Sequence, residues 1–128
     1  MAKFSVHGTF DDNKGNHIDL GLILLAFEED KIHFVYSPAF DLTGYGKTQK
    51  AAHESLQLAL SEFLRYTVSK KTLFNELERL GWKIKRSKKI TSAPSLEDLA
   101  SSNEYLAEIL KEKDYKEIKE TVKLPAYA

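Results

Sequence analysis

Hydrophobic and polar residues alternate along two early segments of the chain, which is the pattern of half-buried β-strands. Lys3 to Phe10 alternates strictly, and Lys31 to Ser37 does so again. Between them, His17 to Glu28 is apolar at both odd and even positions over its middle, as in a central strand covered on both faces or paired at an interface. The short polar link at Glu29-Asp30 predicts that this strand and the next form a β-hairpin.

The helical pattern begins after a loop that contains Gly44 and Gly46. From Gln49 to about Thr67, apolar residues recur at steps of three and four, which predicts an amphipathic helix. Thr48 is the expected N-cap, because its hydroxyl can accept a hydrogen bond from the first turn. The two glycines are expected to supply the awkward backbone dihedrals of a tight connection, in a loop that holds at most a short third strand.

A second helix is predicted from about Lys70 to Leu80, because its apolar residues follow one stripe and Gly81 can end it. Residues 82–85 then alternate like a short edge strand. The next stretch, KRSKKITSAPS, is basic and polar, which indicates an exposed linker. This linker divides the chain into a predicted domain at 1–92 and a second unit at 93–128.

The unit at 93–128 is predicted to hold two short helices, the first capped by Ser95, and a last strand. Ile118 to Leu124 alternates and Pro125 ends the pattern. This strand and the first one lie outside the central elements, so each needs an edge to pair with, in the same chain or in a neighbouring protomer. A homodimer or a higher homo-oligomer is therefore predicted.

The order of the elements predicts the fold class. Strands come first and helices follow, so we expect an α+β fold with a mostly antiparallel sheet and helices packed on one face. The 128 residues can bury one core without metal or disulfide support. The longest apolar run, Leu20 to Phe27, is too short to cross a bilayer, and the first ten residues have no signal-peptide core. A cytoplasmic location is expected.

Charge and cysteine content exclude several classes of function. The 19 basic and 19 acidic residues cancel, so binding to nucleic acid or to an anionic membrane would need a local patch. The absence of cysteine excludes thiol catalysis and thiolate zinc sites. The four histidines lack a metal-ligand spacing and the sequence has no nucleophile–base motif, so we predict no metal, no cofactor and no enzymatic activity.

Gly46-Lys47-Thr48 resembles the end of a phosphate-binding loop, but the rest of that motif is missing. A phosphate loop needs a glycine where Asp41 stands, and a carboxylate there would repel a triphosphate. A tight turn followed by a capped helix needs only the residues that are present. The turn interpretation is therefore favoured over nucleotide binding.

A basic run near the predicted edge strand is the charge asymmetry that stands out. Five cations in seven residues could contact phosphates, with Trp82 and Tyr45 as stacking surfaces. Such a run is more often a solvated edge that prevents unwanted strand pairing, and both interpretations stay open. The run consists of Lys83, Lys85, Arg86, Lys88 and Lys89.

Several motifs follow one another over roughly residues 20–85: Phe34-Val35-Tyr36-Ser37-Pro38, Gly44, Gly46-Lys47-Thr48, the helix QKAAHESLQLALSEFL, and LFNELERLGW from Leu73 to Trp82. Taken in this order, they resemble the HicB-like antitoxin family. Lys47 stands where the family usually has Asp. The resemblance implies a partial ribonuclease-H-like core without a catalytic carboxylate set.

The resemblance also implies a function. It indicates a non-catalytic protein-interaction module that neutralises a small HicA-like toxin protein and forms dimers or tetramers. The expected working surface is the segment from Tyr36 to Thr48, with Tyr36, Phe40 and Tyr45 as contact aromatics. The alternative, from a different class, is a nucleic-acid-binding regulator that uses the basic segment 83–89.

Overall fold

The computed structural model describes the backbone of residues 5–11, 17–84 and 90–125, and the side chains of residues 20–84 and 93–122. It has the predicted α+β class. Within the described ranges, none of the helices is both long and apolar enough to cross a membrane. The elements in chain order are β1 (Ser5–Asp11), β2 (His17–Glu29), β3 (Ile32–Ser37), β4 (Leu42–Gly46), α1 (Gln49–Ser69), α2 (Leu73–Arg79), β5 (Lys83–Ile84), β6 (Ile90–Ser92), α3 (Leu96–Ser102), α4 (Glu104–Glu112) and β7 (Lys116–Pro125).

β2 is the central strand of a five-stranded antiparallel sheet, as its apolar sequence predicts. β7 pairs with β2 from His17–Pro125 to Ala26–Lys116 and so occupies one edge of β2. On the other edge, β1 pairs with the first half of β2 and β3 pairs with the second half. β4 pairs with β3 and borders the sheet on that side. Both strands that needed an edge therefore find one within the chain.

Two residues with positive φ close the predicted β2–β3 hairpin. Asp30 has a φ of 53° and Lys31 a φ of 67°. A two-residue turn of this kind matches the right-handed twist of the strands that it connects. The turn lies one residue later than the predicted Glu29-Asp30 link.

Helices cover both faces of the sheet, so the prediction of one covered face is wrong. Val35 and Tyr36 are neighbours in β3, and their side chains therefore point to opposite faces. On the Val35 face, Gly44 of β4 is paired with Val35 and lies directly against Ala52 of α1. On the Tyr36 face, the Tyr36 ring meets the Tyr105 ring of α4 edge-to-face, with centroids 5.1 Å apart. α1 and α4 thus enclose this part of the sheet from opposite sides.

Gly44 and Gly46 are required by close packing and not by backbone dihedrals, which corrects the sequence-based explanation. Among the described residues, Gly81 is the glycine with a positive φ. A methyl group at Gly44 would lie 2.8 Å from the Leu56 Cα, and one at Gly46 would lie 2.7 Å from the Ala51 Cβ. Because real Cβ atoms do not approach other carbon atoms so closely, only glycine lets α1 lie this low on β4.

Capping bonds mark both ends of α1. The Thr48 hydroxyl accepts a hydrogen bond from the Ala51 N–H at 3.0 Å, which confirms the predicted N-cap. After the last turn, Lys71 has a φ of 59°, and the Thr72 N–H donates to the Thr67 carbonyl at 2.8 Å. This is the Schellman arrangement, in which glycine usually holds the position of Lys71.

The loop after β3 is part of the core. Phe40 packs against Trp82 and Phe63, with ring centroids 5.2 Å and 5.8 Å away. The Trp82 indole N–H donates to the Ala39 carbonyl at 2.8 Å. The loop is thereby tied to the segment that follows α2, although the two partners are 43 positions apart in the sequence.

The described part of 93–128 packs on the rest of the chain as one unit with it. Ala93, Leu96, Leu106 and Ile109 belong to the same buried cluster as residues of β2 and α2. Ser95 caps α3 by accepting a hydrogen bond from the Asp98 N–H at 3.1 Å, as predicted. The exposed-linker prediction is wrong at Ala93 and Pro94, which are buried, while residues 85–89 of that segment lie outside the described ranges.

Candidate interaction surface

Two of the three aromatic residues predicted to contact a partner are core residues. Tyr36 is 1% exposed and Phe40 is 2% exposed, so neither ring is available to another molecule. Tyr45, the third, is 67% exposed. The structure therefore removes Tyr36 and Phe40 from the predicted partner-binding set and leaves Tyr45 on an accessible surface.

Tyr36 instead organises the core between β3 and α4. Its hydroxyl donates to the Asp41 carboxylate at 2.7 Å and accepts from the Asn103 side-chain amide at 3.0 Å. The Asn103 side-chain oxygen accepts from the Leu106 N–H at 3.1 Å and so caps α4. Burial, followed by the hydrogen bond to Asp41, raises the pKa of the Tyr36 hydroxyl far above its usual range. The hydroxyl is therefore a structural group that stays protonated.

Two partly exposed aromatic residues flank Thr43 on the α4 side of the sheet. Thr43 is paired with Tyr36 and Tyr45 is paired with Phe34, which places all four side chains on the same face. Tyr105 of α4 is 41% exposed, and the Thr43 side chain approaches its hydroxyl. Tyr45 and Tyr105 therefore present two large rings on one surface.

Acidic residues of α4 lie beside Tyr105, and Lys111 lies among them. Glu104, Glu108 and Glu112 follow one another at four-residue steps and lie on one side of the helix. At the end of the β2–β3 hairpin, Glu29 is paired with the Lys113 ammonium at 3.0 Å. Burial, and next the Glu29 charge, raises the pKa of Tyr105. We call Tyr45, Tyr105, Glu104 and Glu108 the aromatic–acidic surface.

The opposite face of the sheet carries α1, whose two flanks differ. On one flank, His53 and Gln57 both reach Glu120 of β7, with their side-chain nitrogens 2.9 Å and 3.0 Å from the same carboxylate oxygen. On the opposite flank, Leu58 is 64% exposed, and Ala51 lies against Gly46 of β4. The second flank therefore lies toward the outer edge of β4, which among the described strands pairs with β3 alone.

The remaining predicted site residues do not converge on a reactive centre. The Thr48 hydroxyl is engaged in capping α1, and Lys47 is exposed beside it. His33 pairs with Glu28 at 3.8 Å and His53 with Glu120, so these two histidines lie on different elements with separate partners. Within the described ranges, His, Asp and Glu side chains form no group of three or more that could hold a metal ion.

The structure describes only part of the predicted nucleic-acid-binding segment. Lys83 lies at the start of β5 and is exposed. Lys85, Arg86, Lys88 and Lys89 lie outside the described residues. The nucleic-acid alternative therefore stays a prediction from the sequence.

The fold and this surface define a small α+β domain with exposed aromatic and acidic groups on one face. Comparison with known proteins finds no relative: no family model, no curated protein and no solved structure matches the chain. The resemblance to HicB-like antitoxins therefore rests on the motifs alone.

Sequence reasoning missed Tyr105 as a surface residue. It assigned this residue to the buried stripe of the helix, together with Leu106, Ile109 and Leu110. Leu106 and Ile109 are fully buried, and Tyr105 lies at the margin of their stripe, where its ring can contact Tyr36 and still reach solvent. The available signal was the amphipathic character of a tyrosine, which buries its ring and keeps its hydroxyl hydrated.

Proposed function

We propose that the chain is a non-catalytic, HicB-like protein-interaction module that binds a small basic protein through the aromatic–acidic surface. The observation that carries this proposal is the exposure of Tyr45 and Tyr105 on one face, beside the α4 glutamates. Tyrosine is enriched among the residues that dominate binding energy at protein interfaces. The glutamates add charge that would steer a basic partner toward the rings.

The motif resemblance supports one kind of partner, a HicA-like toxin, and hence an antitoxin role. A compact basic toxin is large enough to cover two tyrosines and their acidic border. Binding would then neutralise the toxin by covering it, without a chemical step on this chain. The buried Tyr36 contributes to this role by fixing α4, and with it Tyr105, against the sheet.

The test is a binding measurement with the small basic protein encoded by the neighbouring reading frame. We expect the two proteins to form a complex at micromolar concentration or tighter, and Tyr45→Ala to weaken it by about tenfold or more, as for a central interface tyrosine. Glu108→Lys should weaken the complex more at low salt than at high salt, since the contribution of Glu108 to binding is electrostatic.

Glu54→Lys is the matched control, because Glu54 is also an exposed glutamate and lies on α1, across the sheet from the aromatic–acidic surface. Equal losses for Glu108→Lys and Glu54→Lys would show that only net charge matters and would exclude the assigned surface. A neighbouring product that does not bind at all, or a chain that instead binds short duplexes with a steep salt dependence, would reject the antitoxin proposal in favour of the nucleic-acid alternative.

A further inference from the structure

The outer edge of β4 is an unprotected sheet edge. Within the described ranges, β3 is the strand that pairs with β4, and the sequence of β4, LTGYG, contains no charged residue. Solvent-facing edges usually carry charges, prolines or bulges that prevent pairing with another chain. β7, on the other side of the sheet, follows this rule, since its sequence KEIKETVKLP contains lysine or glutamate along most of its length. β4 does not follow it, so its outward backbone groups can pair with another strand.

Two large side chains with apolar surface lie beside this edge, on opposite faces of the sheet. Tyr45 of β4 lies on the α4 face and is 67% exposed, and Leu58 of α1 lies over the other face and is 64% exposed. They have the largest exposed fractions among the large hydrophobic residues whose side chains the structure describes. A partner that docked on a single face would cover only one of them. A strand that pairs with β4 sends alternate side chains to both faces, and so it can cover both.

The flank of α1 beside the edge leaves room for such a strand. Ala51, Ser55 and Leu58 recur at three- and four-residue steps, so they share this flank. Gly44 lies directly against the α1 backbone, so the helix follows β4 and its flank runs along the strand edge. An added strand would lie about 4.8 Å outside β4. Its side chains on this face would then pass Ala51 and Ser55, which are small, and would cover Leu58.

The low position of α1 restricts what can pair with β4. A strand that carried its own helix on this face, such as β4 of a second copy, would bring the two helices to about one strand spacing of 4.8 Å. Packed helices need about 8–10 Å between their axes, so such a pair would clash. A strand without a helix over it has no such conflict. The edge therefore fits an extended segment of another polypeptide, such as a tail or a loop.

The α4 side of the edge indicates the charge of that segment. Side chains on this side would pass Tyr45 and point toward Tyr105. Glu108 and Glu112 share one flank of α4 with Tyr105, since the three follow one another at steps of three and four residues. A lysine or an arginine suits this side, because its stem can lie on the tyrosine rings while its charge faces the carboxylates. The small and apolar flank of α1 suits β-branched apolar side chains instead.

We propose that the outer edge of β4 binds an extended segment of a partner polypeptide by main-chain pairing, with basic residues toward α4 alternating with apolar residues toward α1. Pairing of this kind draws affinity from backbone hydrogen bonds and specificity from alternate side chains. It goes beyond the proposed function, because it uses a backbone edge and the α1 flank in addition to the aromatic–acidic surface, and it needs no folded toxin. The two proposals can fail separately, since the tests of this one use a synthetic peptide and not the neighbouring product.

The first test uses a seven-residue synthetic peptide with blocked ends, in which valine and lysine alternate. We expect it to bind the full chain with a Kd below about 1 mM, measured by fluorescence anisotropy. Hydrogen exchange of the outward-pointing β4 amides, followed by NMR, should be fast in the chain alone and slower with the peptide. Absence of binding would overturn the proposal. So would outward amides that are already protected in the chain alone, because another part of the chain or a second copy would then cover the edge.

Two N-methylated peptides test the main-chain pairing. Every second N–H of an added strand points toward the edge, so methyl groups on one alternate set of residues remove these donors and methyl groups on the other set do not. We expect one set to weaken binding by about tenfold or more and the other by less than about threefold, since only the first leaves backbone carbonyls of β4 unpaired. Equal losses for the two sets, or no loss with either, would mean that side-chain charge alone attracts the peptide and would contradict the proposal.

Substitutions on α1 test where the segment lies. Ser55→Phe places a large ring between the helix flank and the edge, and this steric block should weaken peptide binding by about tenfold or more. Ser61→Phe, the same substitution at an exposed position outside this flank, should not. Leu58→Ser removes an exposed apolar contact and should weaken binding by about threefold or more even if Ser55→Phe fails to fold. Val68→Ser is its control, because Val68 is an exposed apolar residue of α1 outside this flank. Unchanged binding in Leu58→Ser, or equal losses in Leu58→Ser and Val68→Ser, would exclude this edge as the site.

Discussion

The Trp82 indole N–H donates to the Ala39 carbonyl at 2.8 Å, and this bond joins the loop after β3 to the end of α2. Both residues are buried, so neither group has access to water if the bond is lost. We expect Trp82→Phe to lower the free energy of unfolding by about 1–3 kcal/mol, since the carbonyl would be left unpaired. Urea unfolding followed by circular dichroism measures this, because the variant lacks the only tryptophan. Tyr66→Phe, which alters an exposed ring, should change stability by less than about 0.5 kcal/mol.

Gly44→Ala should destabilise the protein more than any other single methyl addition in β4. Its methyl group would press on the backbone of Ala52 and Leu56, which cannot move without shifting α1 off the sheet. We expect a loss of about 1–3 kcal/mol or more. Gly46→Ala should cost less, because its nearest neighbour is the Ala51 methyl group at the start of the helix. If Gly44→Ala melted at the same temperature as the wild-type protein, α1 would not lie against β4.

Lys71→Gly should stabilise the protein. Lys71 adopts a φ of 59°, a region that costs a non-glycine residue about 1 kcal/mol. Replacing it by glycine removes this cost at the end of α1 without disturbing the capping bonds. Lys70→Gly is the control. Lys70 has a φ of −85°, so glycine there relieves no strain and only increases the conformational entropy of the unfolded chain, which lowers stability. The two variants should shift the melting temperature in opposite directions.

Ser37→Ala should also stabilise the protein or leave it unchanged. Ser37 is buried, and its hydroxyl has no hydrogen-bond partner within the described residues. Removing an unpaired buried hydroxyl removes its desolvation cost, which is about 1–3 kcal/mol. Thr67→Val should have the opposite effect and destabilise the protein, because the buried Thr67 hydroxyl donates to the Phe63 carbonyl at 2.8 Å. Chemical denaturation that showed Ser37→Ala to be the more damaging of the two would reveal a partner for Ser37.

Stability should fall at alkaline pH because of Tyr36. Burial raises the pKa of Tyr36 above the 10.0 of an exposed tyrosine, so the folded state holds this proton more tightly than the unfolded state does. Below about pH 10 both states hold the proton, and the free energy of unfolding keeps its full value. Above that pH the unfolded chain releases the proton, so the free energy of unfolding decreases as the pH rises. Urea unfolding between neutral and alkaline pH should show this decrease, and Tyr36→Phe should make it shallower. An unchanged slope in Tyr36→Phe would assign the effect to other groups.

The local elements were predictable because short-range patterns determine them. The period of apolar residues in α1, the Thr48 cap and the apolar run of β2 each depend on residues within a few positions of one another. Element ends shifted by one to three residues, as at α2, which runs from Leu73 to Arg79 and not from about Lys70 to Leu80. Such ends depend on packing partners and not on the local pattern.

The long-range arrangement was not predictable in the same way. Tyr36 lies near the end of a predicted half-buried strand, and Phe40 follows Pro38 in a segment that has the composition of an exposed loop. Their burial depends on α4 and Trp82, which lie far away in the sequence. The placement of helices on both faces was implied by the apolar run of β2, but the sequence does not show which helix covers which face. The close approach at Gly44 depends on the path of α1 over the sheet, and a lone glycine in a strand does not reveal that path.

β7 has a consequence for how the chain is made. It pairs with β2 from His17 to Ala26, yet its residues follow those of β2 by about a hundred positions. During synthesis, the most apolar strand of the protein therefore emerges long before the strand that shields its backbone. Until β7 arrives, β2 offers a free template for pairing with other nascent chains, so yield in cells should depend on chaperones and on temperature more than the stability of the finished fold suggests.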